Sequence, residues 1–230
     1  MASTMMKMRT APTTGCRAAT PRVAAPKATR TPATLRRPTL AARAVAAPAA
    51  SAPVVDTTQT PAAQGFTMPG EFEKHAGCWM GWPYDKYLWR EDALPAKKQY
   101  AAVAKTISQF EPVTMWADPS VVEEARGYLA DAPNVSVVAM PINDGWLRDW
   151  GPTCIARTNP ETGKREVAGV HWDYDCYGAP GKIRDGRPAM MPNWDKDYAA
   201  GRAVLEHYGL PVFECPLHLE GGSIHSDGQG

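Results

Sequence analysis

Apolar positions in residues 66–230 recur with two different periods, and this alternation predicts an α/β fold. Short apolar runs predict strands at residues 77–82, 113–117, 135–140, 153–157, 166–172 and from 211 onwards. Apolar residues at helical spacing predict helices at residues 97–110, 119–130 and 195–207. These elements form two strand–helix–strand units, and a third unit only begins before residue 230.

The pattern also predicts a buried helix face, a hairpin and a long loop. The first helix is predicted to bury one face, formed by Tyr100, Val103, Ala104, Ile107 and Phe110. A turn at residues 159–163 between two strands predicts a hairpin. The Gly- and Pro-rich residues 174–192 are predicted to form one long loop.

Residues 1–55 differ sharply in charge from the rest of the chain. They contain nine Lys or Arg residues and no acidic residue. Since the whole chain has a formal net charge of +1, residues 56–230 carry −8. An acid-free, Arg-bearing segment rich in Ala, Thr and Pro is typical of an organelle transit peptide. We therefore predict a disordered transit peptide at residues 1–55, a linker at 56–65 and a folded domain at 66–230.

The alternatives for residues 1–55 are a disordered arm that binds nucleic acid and a solvated tail. The basic residues are spread singly, however, and no aromatic residues are interleaved with them for base stacking. The composition favours the chloroplast as the destination, with the mitochondrion as the alternative. No apolar stretch approaches the ~20 residues that span a bilayer. Neither nucleic acid nor a membrane is therefore expected as a partner.

The cysteines are widely spaced and contain no CxxC pair; they are Cys16, Cys78, Cys154, Cys176 and Cys215. This spacing indicates neither a zinc site nor a disulfide framework, and a soluble, reducing compartment fits it. The chain also has no phosphate-binding loop, dinucleotide fingerprint or Gly-x-Ser-x-Gly elbow. Phosphate-dependent and serine-hydrolase functions are therefore disfavoured.

Two polar clusters could carry chemistry. Residues 143–152 follow a predicted strand and include Trp146, Arg148 and Asp149, at a position where ligand sites are common. Taken alone, Arg148 and Asp149 are more readily explained as a structural ion pair. In residues 219–228, Glu220 precedes two glycines that allow a sharp turn or the close approach of a ligand.

His225 and Asp227 in the second cluster would point the same way on a strand. This spacing suggests a metal or acid–base role for the imidazole. A hydrogen-bonded structural role for His225 is nevertheless favoured.

Both clusters, with three further segments, resemble the agmatine deiminase family of the guanidino-modifying superfamily. In chain order the segments are MPGEFE (68–73), WMGWP (79–83), FEPV (110–113), WLRDWGPT (146–153) and LEGGSIH (219–225). Each segment alone is weak evidence. Their order and spacing together match the family across nearly all of residues 66–230.

The resemblance implies hydrolysis of the guanidinium of agmatine to N-carbamoylputrescine and ammonia, on a pseudo-fivefold α/β propeller without metal or organic cofactor. It implies that Asp149 binds the guanidinium and that Trp146 lines the substrate site. Glu220 would bind the guanidinium and orient a catalytic His. Carboxylates suit this role because a planar guanidinium offers N–H donors in fixed directions. The complete enzyme would be a homodimer.

The implied reaction proceeds through attack by a Cys thiolate and a covalent amidino intermediate, with a His as general acid and base. The family carries this His in a Gly-His-x-Asp motif and this Cys in an Asn-x-His-Cys segment. The 230 residues contain neither motif, and His225 does not match the catalytic His. We therefore expect about two propeller repeats and the start of a third, in a chain that is inactive alone.

Residues 170–179, VHWDYDCYGA, depart from the family's Val-Asp-Trp-x-Phe-Asn-x-Trp-Gly-Gly run. This departure leaves the substrate open, because the same carboxylates would bind any guanidinium. One alternative is a peptidyl-arginine or arginine deiminase. Another is a non-catalytic fragment that binds guanidino compounds or a full-length partner.

Overall fold

Two three-stranded β-sheets and their helices make up residues 55–229, the part of the chain that the computed structural model describes. The strands are β1 (Cys78–Gly81), β2 (Val113–Ala117), β3 (Val135–Ala139), β4 (Thr153–Thr158), β5 (Arg165–Trp172) and β6 (Val212–Cys215). The helices are α1 (Leu94–Ile107), α2 (Val122–Leu129), α3 (Leu147–Trp150), α4 (Ala179–Arg184) and α5 (Asp195–His207). Short 3₁₀ helices cover Ala62–Gln64, Glu91–Ala93 and Gly221–Ser223. The predicted α/β class is confirmed.

The first sheet is parallel throughout, in the order β1-β2-β3. Its central strand alternates strictly: Val113, Met115 and Ala117 pack towards α1 and α2, whereas Trp116 packs on the opposite face. All four side chains are buried. A central parallel strand covered on both faces needs such a continuous apolar run, and this explains why the sequence predicted β2 to the residue.

The second sheet begins with the predicted hairpin. β4 and β5 pair antiparallel, and β6 then adds parallel to β5. Asn159 closes the turn, because its side-chain oxygen accepts hydrogen bonds from the backbone N–H groups of Glu161 (2.9 Å) and Thr162 (3.0 Å). Gly163 has a φ of 66°, a value that suits a residue without a Cβ.

Helix α5 packs against both sheets. Ala200 and Val204 join a buried cluster that includes Trp116 of the first sheet. Leu205 lies over Gly169 of β5, where a Cβ would come within 2.3 Å of the leucine Cδ2. The helix therefore joins the two units through small and branched residues whose shapes interlock.

Two predictions about helices are wrong. Val103 and Phe110, expected on the buried face of α1, are 47% and 80% exposed. The helix ends at Ile107, so Phe110 lies beyond it; α1 buries Ala104 as predicted, together with Ala101 rather than Val103. The predicted loop at 174–192 contains α4, whose first turn is stabilised by a 2.8 Å hydrogen bond from Gly178 N–H to the Asp175 carboxylate.

Residues 1–54 of the predicted transit peptide lie outside the described residues, and so does the last residue of the chain. Residues 56–65, predicted as a linker, form turns and a 3₁₀ helix. Each described sheet has three strands, so neither is a single strand–helix–strand unit, and the propeller repeats stay a prediction. None of the helices in residues 55–229 is long and apolar enough to cross a membrane.

The contact between Leu205 and Gly169 provides a test of the packing. Gly169→Ala forces a methyl group into Leu205, so we expect the free energy of unfolding to fall by about 1–3 kcal/mol. Gly127→Ala, within α2, meets no atom within 4 Å and should raise it by about 0.5–1 kcal/mol. Urea unfolding followed by tryptophan fluorescence measures both changes. Equal effects of the two substitutions would contradict this packing.

Candidate functional site

The single-turn helix α3 carries the first predicted cluster. Trp146 precedes the helix, Asp149 lies within it, and the helix ends at Gly151. A Cβ at Gly151 would come within 2.3 Å of the Leu147 carbonyl oxygen, so the tight exit from α3 needs glycine. The buried Trp150 indole donates a 3.1 Å hydrogen bond to the Asp144 carbonyl. The turn around Asp149 is therefore held from both ends.

The loop before α3 is fixed by reciprocal hydrogen bonds with the start of α5. The buried Asp197 carboxylate accepts hydrogen bonds from the backbone N–H groups of Asn143 (2.7 Å) and Asp144 (3.2 Å). The Asn143 side-chain oxygen accepts in return from the N–H groups of Lys196 (3.0 Å) and Asp197 (3.2 Å). Trp194, at the N-cap of α5, offers no oxygen, so Asn143 caps this helix across 53 residues of chain.

Two carboxyl groups are buried here, that of Asp144 in the loop and that of Asp197 in α5. Burial raises the pKa of Asp197 to about 7, and the nearby Asp144 charge adds to the effect. Burial likewise raises the pKa of Asp144 to about 6, with smaller contributions from Asp149 and Asp85. One oxygen of Asp144 and one of Asp197 have no hydrogen-bond partner. Folding therefore favours the protonated form of both the Asp144 and the Asp197 carboxyl group.

The Asp149 carboxylate is half-buried and receives one strong hydrogen bond. The Tyr177 hydroxyl donates to its Oδ2 at 2.8 Å. Burial and this carboxylate raise the pKa of Tyr177, so its hydroxyl stays a donor. Cys176, Tyr177 and Gly178 have φ values of 56°, 59° and 75°, a left-handed run that is strained for the first two residues. The strained turn presents the Tyr177 hydroxyl to Asp149.

The loop that contains Glu220 packs directly on α3. A Cβ at Gly221 would lie 2.3 Å from the Arg148 carbonyl oxygen, and one at Gly222 would lie 3.2 Å from Asp149 Oδ1. Only residues without side chains allow this approach. The two predicted clusters therefore meet, with Glu220 half-buried at the start of the 3₁₀ helix Gly221–Ser223.

An aromatic pair borders α3. Trp146 is 41% exposed and stacks on Trp89, with ring centroids 5.4 Å apart and an interplanar angle of 18°. Tyr100 meets the other side of Trp89 edge-on at 5.9 Å. Burial, Asp144 and Asp149 raise the pKa of Tyr100 to about 12. The region thus combines an aromatic surface with a negative field, which suits an organic cation.

The ion pair considered from the sequence is not formed. Arg148 is exposed and pairs with Glu71 rather than with Asp149. His225 and Asp227 lie in irregular chain after Gly221–Ser223, where both are exposed. Asp149 is therefore free of a neutralising cation among the described residues, and its remaining oxygen is directed towards the Gly222 backbone.

The described cysteines with a perturbed pKa are not activated. Burial raises the pKa of Cys154 to about 11 and that of Cys78 to about 12, and it also raises the pKa of Cys176. A nucleophilic thiol needs the opposite shift, because the thiolate is the reactive form. These three cysteines therefore lack the shift that an activated thiol needs, and of them only Cys176 is fully buried.

Comparison with known proteins identifies the family to which this chain belongs. Residues 67–230 match the family model described as Porphyromonas-type peptidyl-arginine deiminase, and the chain therefore belongs to this family. The agmatine deiminase of Medicago truncatula is 37% identical over 174 residues, which cover 74% of this chain and 44% of that protein. The agmatine deiminase of Pseudomonas fluorescens is 40% identical over 173 residues, with the same two shares of 74% and 44%.

Solved structures agree with this relationship. The structure of the Enterococcus faecalis agmatine deiminase superposes with a TM-score of 0.67 at 32% identity, over 79% of this chain and 46% of that chain. The chain thus spans less than half the length of the relatives that it matches. The resemblance inferred from the five sequence segments is confirmed.

Sequence reasoning missed the residues that support the site. Tyr177, Trp89, Asp144 and Asp197 were not singled out, although each contacts or fixes the segment around Asp149. Tyr177 alone left a signal, since it lies in the run 170–179 that departs from the family pattern. The others are visible only once distant segments are placed together.

The buried carboxyl pair should make stability depend on pH. The pKa of Asp197 is about 3.9 in the unfolded chain and about 7 in the folded one. The stabilisation that comes with this difference is complete below about pH 3.9 and is lost as the pH rises towards about 7. Asp197→Asn keeps an oxygen acceptor but cannot ionise. The free energy of unfolding of this variant should therefore fall less between about pH 5 and about pH 7 than that of the parent chain.

Urea unfolding at several pH values measures this difference. Glu161→Gln serves as the control, because this exposed carboxylate lies in the turn between β4 and β5. The control should retain the parent's pH dependence. Parallel curves for the parent and Asp197→Asn would refute a role for the buried pair.

Proposed function

We propose that the complete protein hydrolyses the guanidinium of agmatine to N-carbamoylputrescine and ammonia, and that Asp149 and Glu220 bind this guanidinium. One observation carries the proposal: Gly221 and Gly222 pack so closely on α3 that the segments carrying Asp149 and Glu220 meet, which supports a shared site. Membership of the deiminase family and the identity to agmatine deiminases support guanidine hydrolysis.

Each residue has a defined task in this proposal. Asp149 accepts two N–H groups of the planar guanidinium, and the Tyr177 hydroxyl keeps the carboxylate in one orientation. Glu220 accepts further N–H groups from the neighbouring loop. The stacked Trp146 and Trp89 offer an aromatic surface beside the cation. Together these groups hold the guanidinium carbon for attack.

The chemical steps require groups that these 230 residues do not supply. A Cys thiolate would attack the guanidinium carbon, ammonia would leave, and water would release the product from the amidino intermediate. A His would transfer the protons. The family's motifs for both groups are absent from the 230 residues. We therefore propose that this chain contributes substrate binding and releases no ammonia by itself.

The acid-free residues 1–55 serve, in our proposal, to direct the protein to the chloroplast. The family match begins at residue 67, so this segment precedes the deiminase-like part. Its Arg residues without acidic neighbours support import rather than catalysis. Localisation of a fluorescent fusion to residues 1–66, compared with a fusion to residues 67–230, tests this role.

Substrate binding by the 230-residue chain tests the roles of the carboxylates. Isothermal titration with agmatine should give a Kd that rises about 10- to 150-fold in Asp149→Asn and in Glu220→Gln, because each loses a charge-assisted hydrogen bond. Asp227→Asn, an exposed carboxylate beyond the same loop, is the control and should bind as the parent does. Arginine and a peptidyl arginine, titrated in parallel, test the alternative substrates.

Two outcomes would contradict the proposal. Equal affinity of all three variants would exclude Asp149 and Glu220 from the site. Ammonia release by the parent chain that depends on Glu220 would show that the chain is active alone. Tighter binding of a peptidyl arginine than of agmatine would reassign the substrate and leave the site intact.

The Tyr177 hydroxyl should affect affinity through Asp149. Tyr177→Phe removes one neutral donor from the carboxylate, so we expect the Kd for agmatine to rise about 2- to 10-fold. Tyr198→Phe is the matched control, since Tyr198 is 41% exposed and contacts the fold through its ring and backbone. An unchanged Kd in Tyr177→Phe would mean that the hydroxyl does not orient Asp149.

A further inference from the structure

Three side chains at the edge where β1 begins gather in an arrangement that the deiminase site does not use. They are the imidazole of His75, the thiol of Cys78 and the carboxylate of Glu111. One nitrogen, one sulfur and one oxygen atom from these residues lie within 4.8 Å of one another. Across residues 55–229, no other trio of His, Cys, Asp or Glu side chains is grouped in this way.

Backbone pairing fixes the position of Cys78 beside the segment of Glu111. Cys78 begins β1 and pairs with Val113 of β2, and its N–H donates a 2.9 Å hydrogen bond to the Pro112 carbonyl. A Cβ at Gly77 would lie 2.8 Å from that same carbonyl oxygen. Glycine is therefore needed between His75 and Cys78 for the chain to approach the segment of Glu111.

The imidazole of His75 is oriented as metal-binding imidazoles are. Its Nε2 lies 2.8 Å from the Glu71 carbonyl oxygen, which only accepts hydrogen bonds, so Nε2 carries a proton. In the neutral ring Nδ1 then has a free lone pair, and this atom lies 3.4 Å from the Glu111 carboxylate. A ligating His commonly donates its other N–H to a carbonyl in this manner.

We propose that His75, Cys78 and Glu111 bind a divalent transition-metal ion of the zinc type, with a fourth position open to water. Thiolate, imidazole and carboxylate together match the ligand preference of zinc. The fourth position follows from the partial exposure of the site, since 45% of the His75 side chain is accessible. The site is separate from guanidinium binding and stabilises the start of the first sheet.

The distance between His75 and Glu111 already matches a zinc site, whereas the distance between Cys78 and Glu111 is shorter. Tetrahedral zinc with ordinary bond lengths places its nitrogen and oxygen ligands ~3.4 Å apart. His75 Nδ1 and Glu111 are 3.4 Å apart without the ion. Sulfur and oxygen ligands would be ~3.6 Å apart, whereas the Cys78 thiol now donates a 2.9 Å hydrogen bond to Glu111 Oε1. That contact lengthens by ~0.7 Å when the metal replaces the thiol proton.

The proton balance gives this site a distinctive signature. The Cys78 thiol donates a 2.9 Å hydrogen bond to Glu111 Oε1, so the sulfur carries a proton when no metal is bound. When the sulfur–metal bond forms, the S–H bond breaks and the proton passes to the solvent. At about pH 8, metal binding should therefore release about one proton for each ion.

Cobalt(II) titration of the 230-residue chain tests the proposal. We expect a near-ultraviolet sulfur-to-cobalt charge-transfer band and intense visible bands of four-coordinate cobalt, saturating at one ion per chain and abolished by zinc. Cys78→Ser should lose the charge-transfer band. His75→Gln and Glu111→Gln should weaken binding. Cys215→Ser, another partly buried free cysteine, is the control and should retain the spectrum.

The site is overturned if no charge-transfer band forms, or if the band survives in Cys78→Ser. Calorimetry of zinc binding in two buffers of different ionisation enthalpy counts the released protons, and a count of zero would also overturn it. Circular dichroism checks that each variant is folded. If Cys78→Ser unfolds, the exposed His75→Gln provides the decision, because unchanged cobalt affinity there contradicts the proposal.

Discussion

The reciprocal hydrogen bonds between Asn143 and the start of α5 are the constraint on which the rest of the structure depends. They satisfy the first turn of a helix that joins both sheets, and they fix the loop from which α3 emerges. The buried Asp197 is therefore at once a support for the loop and a group with a raised pKa. Stability and the geometry around Asp149 come from the same contact.

The fold was readable from the sequence wherever burial imposed a regular pattern. β2 is buried on both faces, and its apolar run predicted its bounds to the residue. The hairpin followed from turn residues whose hydrogen bonds are local, around Asn159. The pattern failed where a small residue fills the interface, because α1 buries Ala101 beside the predicted Ala104 and leaves the larger Val103 exposed. The size of the apolar side chains alone therefore did not identify the buried face of α1.

The site was found through the order of family-like segments rather than through local physics. By themselves, Arg148 and Asp149 suggested an ion pair, yet Arg148 instead pairs with Glu71, far away in sequence. The close approach of Gly221 to α3, the Tyr177 hydroxyl on Asp149 and the position of Glu111 all depend on tertiary contacts. No periodicity in the chain encodes such contacts, and a spacing rule for cysteines does not reach Glu111, which lies 33 residues from Cys78 and precedes β2.

The brevity of α3 has a consequence for how the protein reaches its native state. A four-residue helix has too few hydrogen bonds to persist alone, so it forms only when its surroundings are present. Those surroundings come from two segments, one 28 residues away at Tyr177 and one 53 residues away at Asp197. Closing such loops is an entropic barrier that local structure cannot lower. The turn around Asp149 is thus expected among the last parts to become ordered during folding.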